Sequence, residues 1–237
     1  MPCGIHHPWK VKSLNNKYTI FDKLLELPLF QGMSKNDLAT IVGQRKFGFH
    51  KIAEGKTVVR DGEICTSLRF LLDGELFVMT EADDHGYLLT EEISAPNILQ
   101  PEHIFGLSQR YSRTFTTKTE CSILAIDKGE VVKLSEESAI FRINFLNILS
   151  TQSQKQQRNP WHIQPKELDK RISRFIEMHC IRPVGRKTLK IKMERLAHEM
   201  NDSRLDVSKA LNKMEREKLL ILHRGLIEIP ALEQLIM

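Results

Sequence analysis

The sequence predicts an α+β chain: an N-terminal β-roll, one long helix and a C-terminal winged helix-turn-helix. Three observations predict it. The apolar period is helical, then two, then helical again; turns carrying glycine punctuate the middle of the chain at close, even intervals; and Met193 to Leu220 holds two short amphipathic stripes parted by Asn201-Asp202-Ser203.

The elements follow in order. After a polar lead of residues 1–20, FDKLLELPLF (Phe21 to Phe30) has a helical pattern stopped by Pro28. Ser34-Lys35-Asn36-Asp37 is a capping box that opens a second helix through Val42. From Phe47 the period becomes two, in the runs FGFHKI, KTVV, SLRFLL, ELFVMT, YLLTEEI and SILAI, divided by Glu54-Gly55, Asp61-Gly62, Asp73-Gly74 and Asp83-Asp84-His85-Gly86. Short strands so spaced form an antiparallel roll or barrel. This gives a sensor-like domain over 21–130.

Ser135 to Gln157 returns to helical spacing with Ile140, Phe141, Ile143, Phe145, Leu146 and Ile148. That apolar face is too wide for a helix lying on one surface. One side can cover the roll while Ile140, Phe141, Ile143 and Phe145 form a seam with a second copy, so residues 131–160 are expected to be a dimerisation helix and hinge, the hinge lying in TQSQKQQRNP-WHIQP. The last domain, 161–237, starts with a packing helix marked by Leu168, Ile172, Phe175, Ile176 and His179, and a turn at Pro183 to Gly185 leads to the helix-turn-helix. The first stripe there is Leu196, Ala197 and Met200, and the second is Val207, Ala210, Leu211 and Met214. Opposite the second stripe stand Arg204, Asp206, Ser208, Lys209, Asn212 and Lys213, a face able to meet base edges and phosphates, and Ser203 and Leu205 join them as DNA-binding candidates. LLILHRGLIEI, near the end of the sequence, reads as a hairpin about His223-Arg224-Gly225, the wing.

Charge supports a nucleic-acid partner. The chain carries 35 Lys+Arg against 30 Asp+Glu, a net charge of +5, and from Trp161 onward there are 16 basic and 11 acidic residues. The first 160 residues are therefore neutral, and the whole excess lies with the helix-turn-helix, where phosphate contact requires it. With 41% apolar and 27% charged residues the composition is ordinary for a globular protein. MPCGIHHPWK lacks the apolar centre of a secretory signal, and a cytoplasmic protein without membrane contact is expected. Cys3, Cys65, Cys121 and Cys180 are isolated, with no CxxC spacing, and are expected to be reduced thiols that bind no metal.

Element order and local sequence resemble the CRP/FNR superfamily of bacterial transcription regulators over residues 21–230. LPLFQGMSKNDLATI, EGKTVVRDGE, SLRFLLDGEL and the strand at Ile123 to Ile126 resemble that family's cyclic-nucleotide-binding fold, which makes the N-terminal part a cyclic-nucleotide-binding-like β-roll. The resemblance implies a homodimer with effector-controlled binding to an inverted repeat in double-stranded DNA, and RNA polymerase as a further partner. By position Arg204 and Lys209 are the readers of base or phosphate. Leu205 departs from the pattern: family members often carry a glutamate there, which accepts from cytosine N4, whereas leucine offers only apolar contact with a thymine methyl.

The effector region, NILQPEHIFGLSQRYSRTFTTKT, departs further. Members that bind cyclic AMP use a Gly-Glu pair and an Arg followed by Ser or Thr; here Glu102 follows Pro101, and counting back from Cys121–Ile126 puts Tyr111 at the arginine position. Glu102, His103, Tyr111, Arg113 and Thr114 are the effector candidates, with cyclic AMP not the expected ligand. An iron-sulfur cluster needs clustered ligands and Cys3 stands alone, which argues against one. Haem sensing remains an alternative, with Cys3, His6, His7 and His103 as axial candidates. GxSxG, HExxH and a glycine-rich phosphate loop are all missing from the sequence, so an enzyme is not expected. The remaining rival is an interaction module of the same fold that does not bind DNA.

Overall fold

The computed structural model describes residues 20–44, 47–158, 163 and 165–236. The chain starts with α1 (Ile20–Glu26), which stops before Pro28, then a 3-10 turn (Pro28–Phe30) and α2 (Lys35–Gln44). The capping box is formed as expected: Asp37 N–H donates to Ser34 Oγ at 3.1 Å, and Ser34 N–H returns to the Asp37 carboxylate at 3.2 Å.

Eight strands follow over residues 47–127: β1 (Phe47–Ile52), β2 (Thr57–Val59), β3 (Ser67–Asp73), β4 (Glu75–Glu81), β5 (Tyr87–Ser94), β6 (Asn97–Leu99), β7 (Thr114–Thr117) and β8 (Cys121–Asp127). Among the described residues they form two antiparallel sheets, one ordered β1-β8-β3-β6 and the other containing β5-β4-β7-β2. The β3–β4 turn requires Gly74. Its φ is +91°, and a Cβ there would lie 2.6 Å from the Glu120 carbonyl oxygen and 2.7 Å from Cys121 Sγ. Leu68, Phe70 and Leu71 of β3 are fully buried between the sheets and the helices. Phe30 fixes the helical layer by lying 5.8 Å from Phe70 and 5.7 Å from Phe141, ring to ring.

The expected long helix is two helices. α3 (Lys128–Glu137) ends at Ser138, whose backbone is extended, and α4 (Ala139–Arg158) begins anew. The cause is local: Ser138 Oγ accepts the Phe141 N–H at 3.2 Å, an N-cap contact that competes with continuing the helix. Residues 151–158, expected to belong to the hinge, are the last turns of α4, and the rest of that segment lies largely outside the described residues. The seam expectation also needs correction. Phe141 and Phe145, four residues apart, turn into the roll's own core, where Phe145 meets Phe105 at 6.0 Å, whereas Ile140, Ile143 and Leu146 face outward.

The C-terminal domain is α5 (Leu168–His179), β9 (Lys187–Ile191), α6 (Met193–Met200), α7 (Arg204–Arg216), β10 (Ile221–His223), β11 (Leu226–Ile229) and α8 (Leu232–Leu235). Strand β9 was not anticipated from sequence, which placed only a turn ahead of the helix-turn-helix. It pairs with β11 on one edge and with β5 of the roll on the other, so the second sheet runs β10-β11-β9-β5-β4-β7-β2 across both domains.

Because Phe141 joins helix to roll inside one chain, Phe141→Ala should lower unfolding free energy by about 3–5 kcal/mol. Urea denaturation measures it, and a loss below about 1 kcal/mol would contradict this packing.

Candidate functional site

Two sites emerge, a cleft between the roll and α4 and the outer face of α7. The cleft encloses about 440 Å³ and is lined by Glu102, His103, Ser112 and Arg113 from the roll and by Leu149, Gln152, Ser153 and Gln156 from α4. Those helical positions recur at three- and four-residue intervals, so one face of α4 supplies them all. Arg113 is positioned by its Nε–H, which donates to Thr80 Oγ1 at 3.1 Å. Ser112 is held from the other side: the Gln100 side chain donates to its Oγ at 2.7 Å and accepts its N–H at 3.2 Å. His103 Nε2 lies 3.4 Å from the same Oγ and 3.9 Å from the Glu102 carboxylate. Among the described residues Glu102 Oε2 and Gln152 Oε1 are buried without a hydrogen-bond partner, two acceptors that a ligand's donors could satisfy.

Of the effector candidates, Glu102, His103 and Arg113 line this cleft, and two fall elsewhere. Tyr111 is a core residue: its ring is buried under the Arg69 guanidinium at 5.7 Å, and its O–H donates to the Ser67 carbonyl at 3.1 Å. Burial, aided by the neighbouring Cys65 thiol, holds that O–H far above its ordinary pKa. Thr114 uses its hydroxyl to accept the Asp61 N–H at 3.1 Å and does not line the cleft. Counting residues back from β8 assumed a loop of the family's length. Conversely, Gln152, Ser153 and Gln156 were missed because TQSQKQQ was taken for a linker, its helical spacing of polar residues being the available signal, and Ser112 lies in the loop between the candidates Tyr111 and Arg113 with no signal of its own.

The α6–α7 turn is closed by Asn201 in the left-handed region at φ +47° and by Ser203, which N-caps α7 through Asp206 N–H at 3.1 Å. Arg171 of α5 donates to the Met200 carbonyl at 2.9 Å and pairs with Asp202, which braces the turn. Val207, Leu211 and Met214 are buried beneath α7. Arg204, Leu205, Asp206, Lys209, Asn212 and Lys213 are exposed above it, and Ser208 is half-buried. Ser203 and Asp206 are committed to the cap, and the Ser203 hydroxyl, followed by Lys209, holds the Asp206 carboxyl below the usual range. The cations are internally paired: Arg204 with Glu194 at 3.5 Å, Lys209 with Asp206 at 3.1 Å, and Lys213 with Asp169 at 2.7 Å. Each pair is exposed, so phosphate oxygens can replace the carboxylate at little cost.

Residues 49–138 match the cyclic nucleotide-binding domain family. Among solved structures it is similar to the catabolite activator protein of Thermus thermophilus, at 15% identity and a TM-score of 0.50, over 89% of this chain and 98% of that one. A crp/fnr-family putative transcriptional regulator from Eubacterium rectale aligns at 21% identity and a TM-score of 0.49, again over 89% of this chain and 98% of that one. A comparison with curated protein sequences finds no match. The likeness to the Thermus thermophilus protein is one of fold; residues 49–138 supply the roll half of the cleft and α4 the other half.

The core position of Tyr111 has a direct test. Tyr111→Phe should cost about 1 kcal/mol through the lost hydrogen bond to Ser67, read from the shift in urea midpoint at unchanged slope. An unchanged midpoint would mean that this bond does not form.

Proposed function

We propose that the chain is a dimeric, sequence-specific DNA-binding transcription regulator whose operator affinity is set by a small effector in the roll–α4 cleft. The observation that carries this is the outer face of α7, a braced, capped helix presenting Arg204, Lys209, Asn212 and Lys213 in the only part of the sequence with excess positive charge. A two-fold dimer would place one α7 per half-site in the major groove, giving an inverted repeat with half-sites about 10 base pairs apart. Arg204→Ala or Lys209→Ala should weaken binding to the selected site by about 1–3 kcal/mol, with a smaller loss on random duplex, in a fluorescence titration. Equal losses on both would make them phosphate contacts, and no shift of any duplex would favour the interaction-module alternative.

The dimer surface is proposed on Ile140, Ile143 and Leu146, which α4 leaves 40%, 55% and 55% exposed, with Phe141 and Phe145 beneath them. Ile143→Asp would bury an uncompensated charge at such a seam and should give a folded monomer with weak operator affinity. A wild type already monomeric at micromolar concentration by native mass spectrometry would refute the seam.

The cleft favours a polar effector with an anionic group for Arg113 and hydrogen-bond donors for Glu102 and Gln152. Cyclic AMP is not proposed, since Pro101 before Glu102 has no amide donor and Tyr111 does not reach the cleft. Calorimetry should show no cyclic AMP binding tighter than about 1 mM; a micromolar constant lost in Arg113→Ala would overturn that. A porphyrin is not proposed for this cleft, because among the described residues Leu149 is the one aliphatic residue lining it; the candidate ligands Cys3, His6 and His7 lie outside the described residues. Among the described residues no group of three or more His, Cys, Asp or Glu could hold a metal ion, and no helix is long and apolar enough to cross a membrane. A cytoplasmic, non-enzymatic role and contact with RNA polymerase complete the proposal.

A further inference from the structure

Strand β5 belongs to two cores at once. One edge pairs with β4; the other pairs with β9 in the register Tyr87↔Ile191, Leu89↔Leu189 and Glu91↔Lys187. Leu89, a residue of the roll by sequence, is buried in the C-terminal core with Ile172, Leu189 and Ile227. At one end of the joint Glu91 and Lys187, each side chain 1% exposed, form an ion pair of 2.9 Å, and the Glu91 carboxylate also accepts the Ile181 N–H at 2.9 Å. At the other end the Tyr87 O–H meets His179 Nε2 at 3.0 Å, the ring being oriented by its Nδ1, 2.6 Å from the Phe175 carbonyl. Arg195 of α6 reaches Asp84 in the β4–β5 turn at 2.7 Å and Glu199 at 2.6 Å.

The joint is tight at the Glu91 end and loose at the hairpin tip. There a cavity of about 390 Å³ opens between Thr80, Asp84, Tyr87, Leu89, His179 and Arg195, and Arg195 Nε is buried without a partner among the described residues. Such a seam can separate at lower cost than the interior of the roll. Its charge is also adverse to DNA, because Asp83 and Asp84 stand at the tip beside α6, and Asp84 helps to neutralise an arginine of the helix-turn-helix domain.

We propose that the β4–β5 hairpin is an autoinhibitory latch: paired with β9 it holds the winged-helix domain against the roll with Arg195 neutralised, and its release raises DNA affinity. The cleft reaches the latch in a single row. Arg113 is bonded to Thr80, Thr80 is the cross-strand partner of Leu89, and Leu89 is the partner of Leu189. An anionic ligand that draws Arg113 off Thr80 therefore acts on the strand that both domains share.

The latch rests on the DNA-binding reading only for its inhibitory half, and the test separates the two. Thr90 and Thr188 are directly opposed, so Thr90→Cys/Thr188→Cys in a full-length Cys180→Ala background can close a reversible disulfide across the joint. The oxidised protein should bind a selected duplex at least tenfold more weakly than the reduced one. Asp84→Asn should bind more tightly than the parent, with a salt dependence steeper by about one phosphate contact. Without DNA, amide exchange over Lys187–Ile191 should be faster than over β3, and Lys187→Met should accelerate the β9 amides alone. Equal affinity of oxidised and reduced protein would overturn the inhibition, and equal protection of β9 and β3 would overturn the latch itself. If the reduced protein binds no duplex, the DNA reading fails together with the inhibitory role, while the exchange result still decides whether the joint opens.

Discussion

The pairing of β5 with β9 is the constraint on which the relative placement of the two domains depends. An ordinary linker between a sensor and a DNA-reading domain would leave their orientation open, as small inter-domain contacts do. Here the backbone ladder continues from roll to wing, and an ion pair with both side chains 1% exposed is set into it. A buried pair of this kind adds little net stability compared with apolar residues of the same shape, yet removal of one partner costs about 3–5 kcal/mol. Its contribution is register. Sliding β9 by one residue would part Glu91 from Lys187 and turn Leu189 away from the core, so the joint has one closed state.

The cleft and α7 stand on opposite sides of that joint. α4 packs inward through Phe141 and Phe145 and still offers Gln152 and Gln156 to the cleft and Ile140 and Ile143 to the outside, three duties on three faces of one helix. Burial of the Phe face inside the chain explains why the helix does not need a second copy to be stable. The outer face is then free to be set by association.

Features encoded by neighbouring residues were legible in the sequence. The Ser34–Asp37 capping box, the Asn201–Ser203 turn and the stripe Val207, Leu211, Met214 are all specified within a few positions, and each is found where expected. The strand KTLKI is five residues long, is followed at once by a helix, and alternates as Lys187, Leu189 and Ile191 inward; only its distant partner β5 gives it a sheet to join. Tyr111 was misplaced because a position inferred by counting along a loop depends on loop length, which sequence alone does not fix. The cleft face of α4 was hidden for a different reason: a polar stripe that lines a cavity has the same composition as a solvated linker, and only its helical period distinguishes them.

Amide exchange of the full chain with and without an inverted-repeat duplex tests the central claim most directly. Protection is expected over residues 193–216 and 221–229, where α6, α7 and the wing would meet DNA, together with faster exchange over 187–191 as the β5–β9 joint opens. Protection confined to the roll, or none anywhere, would contradict it.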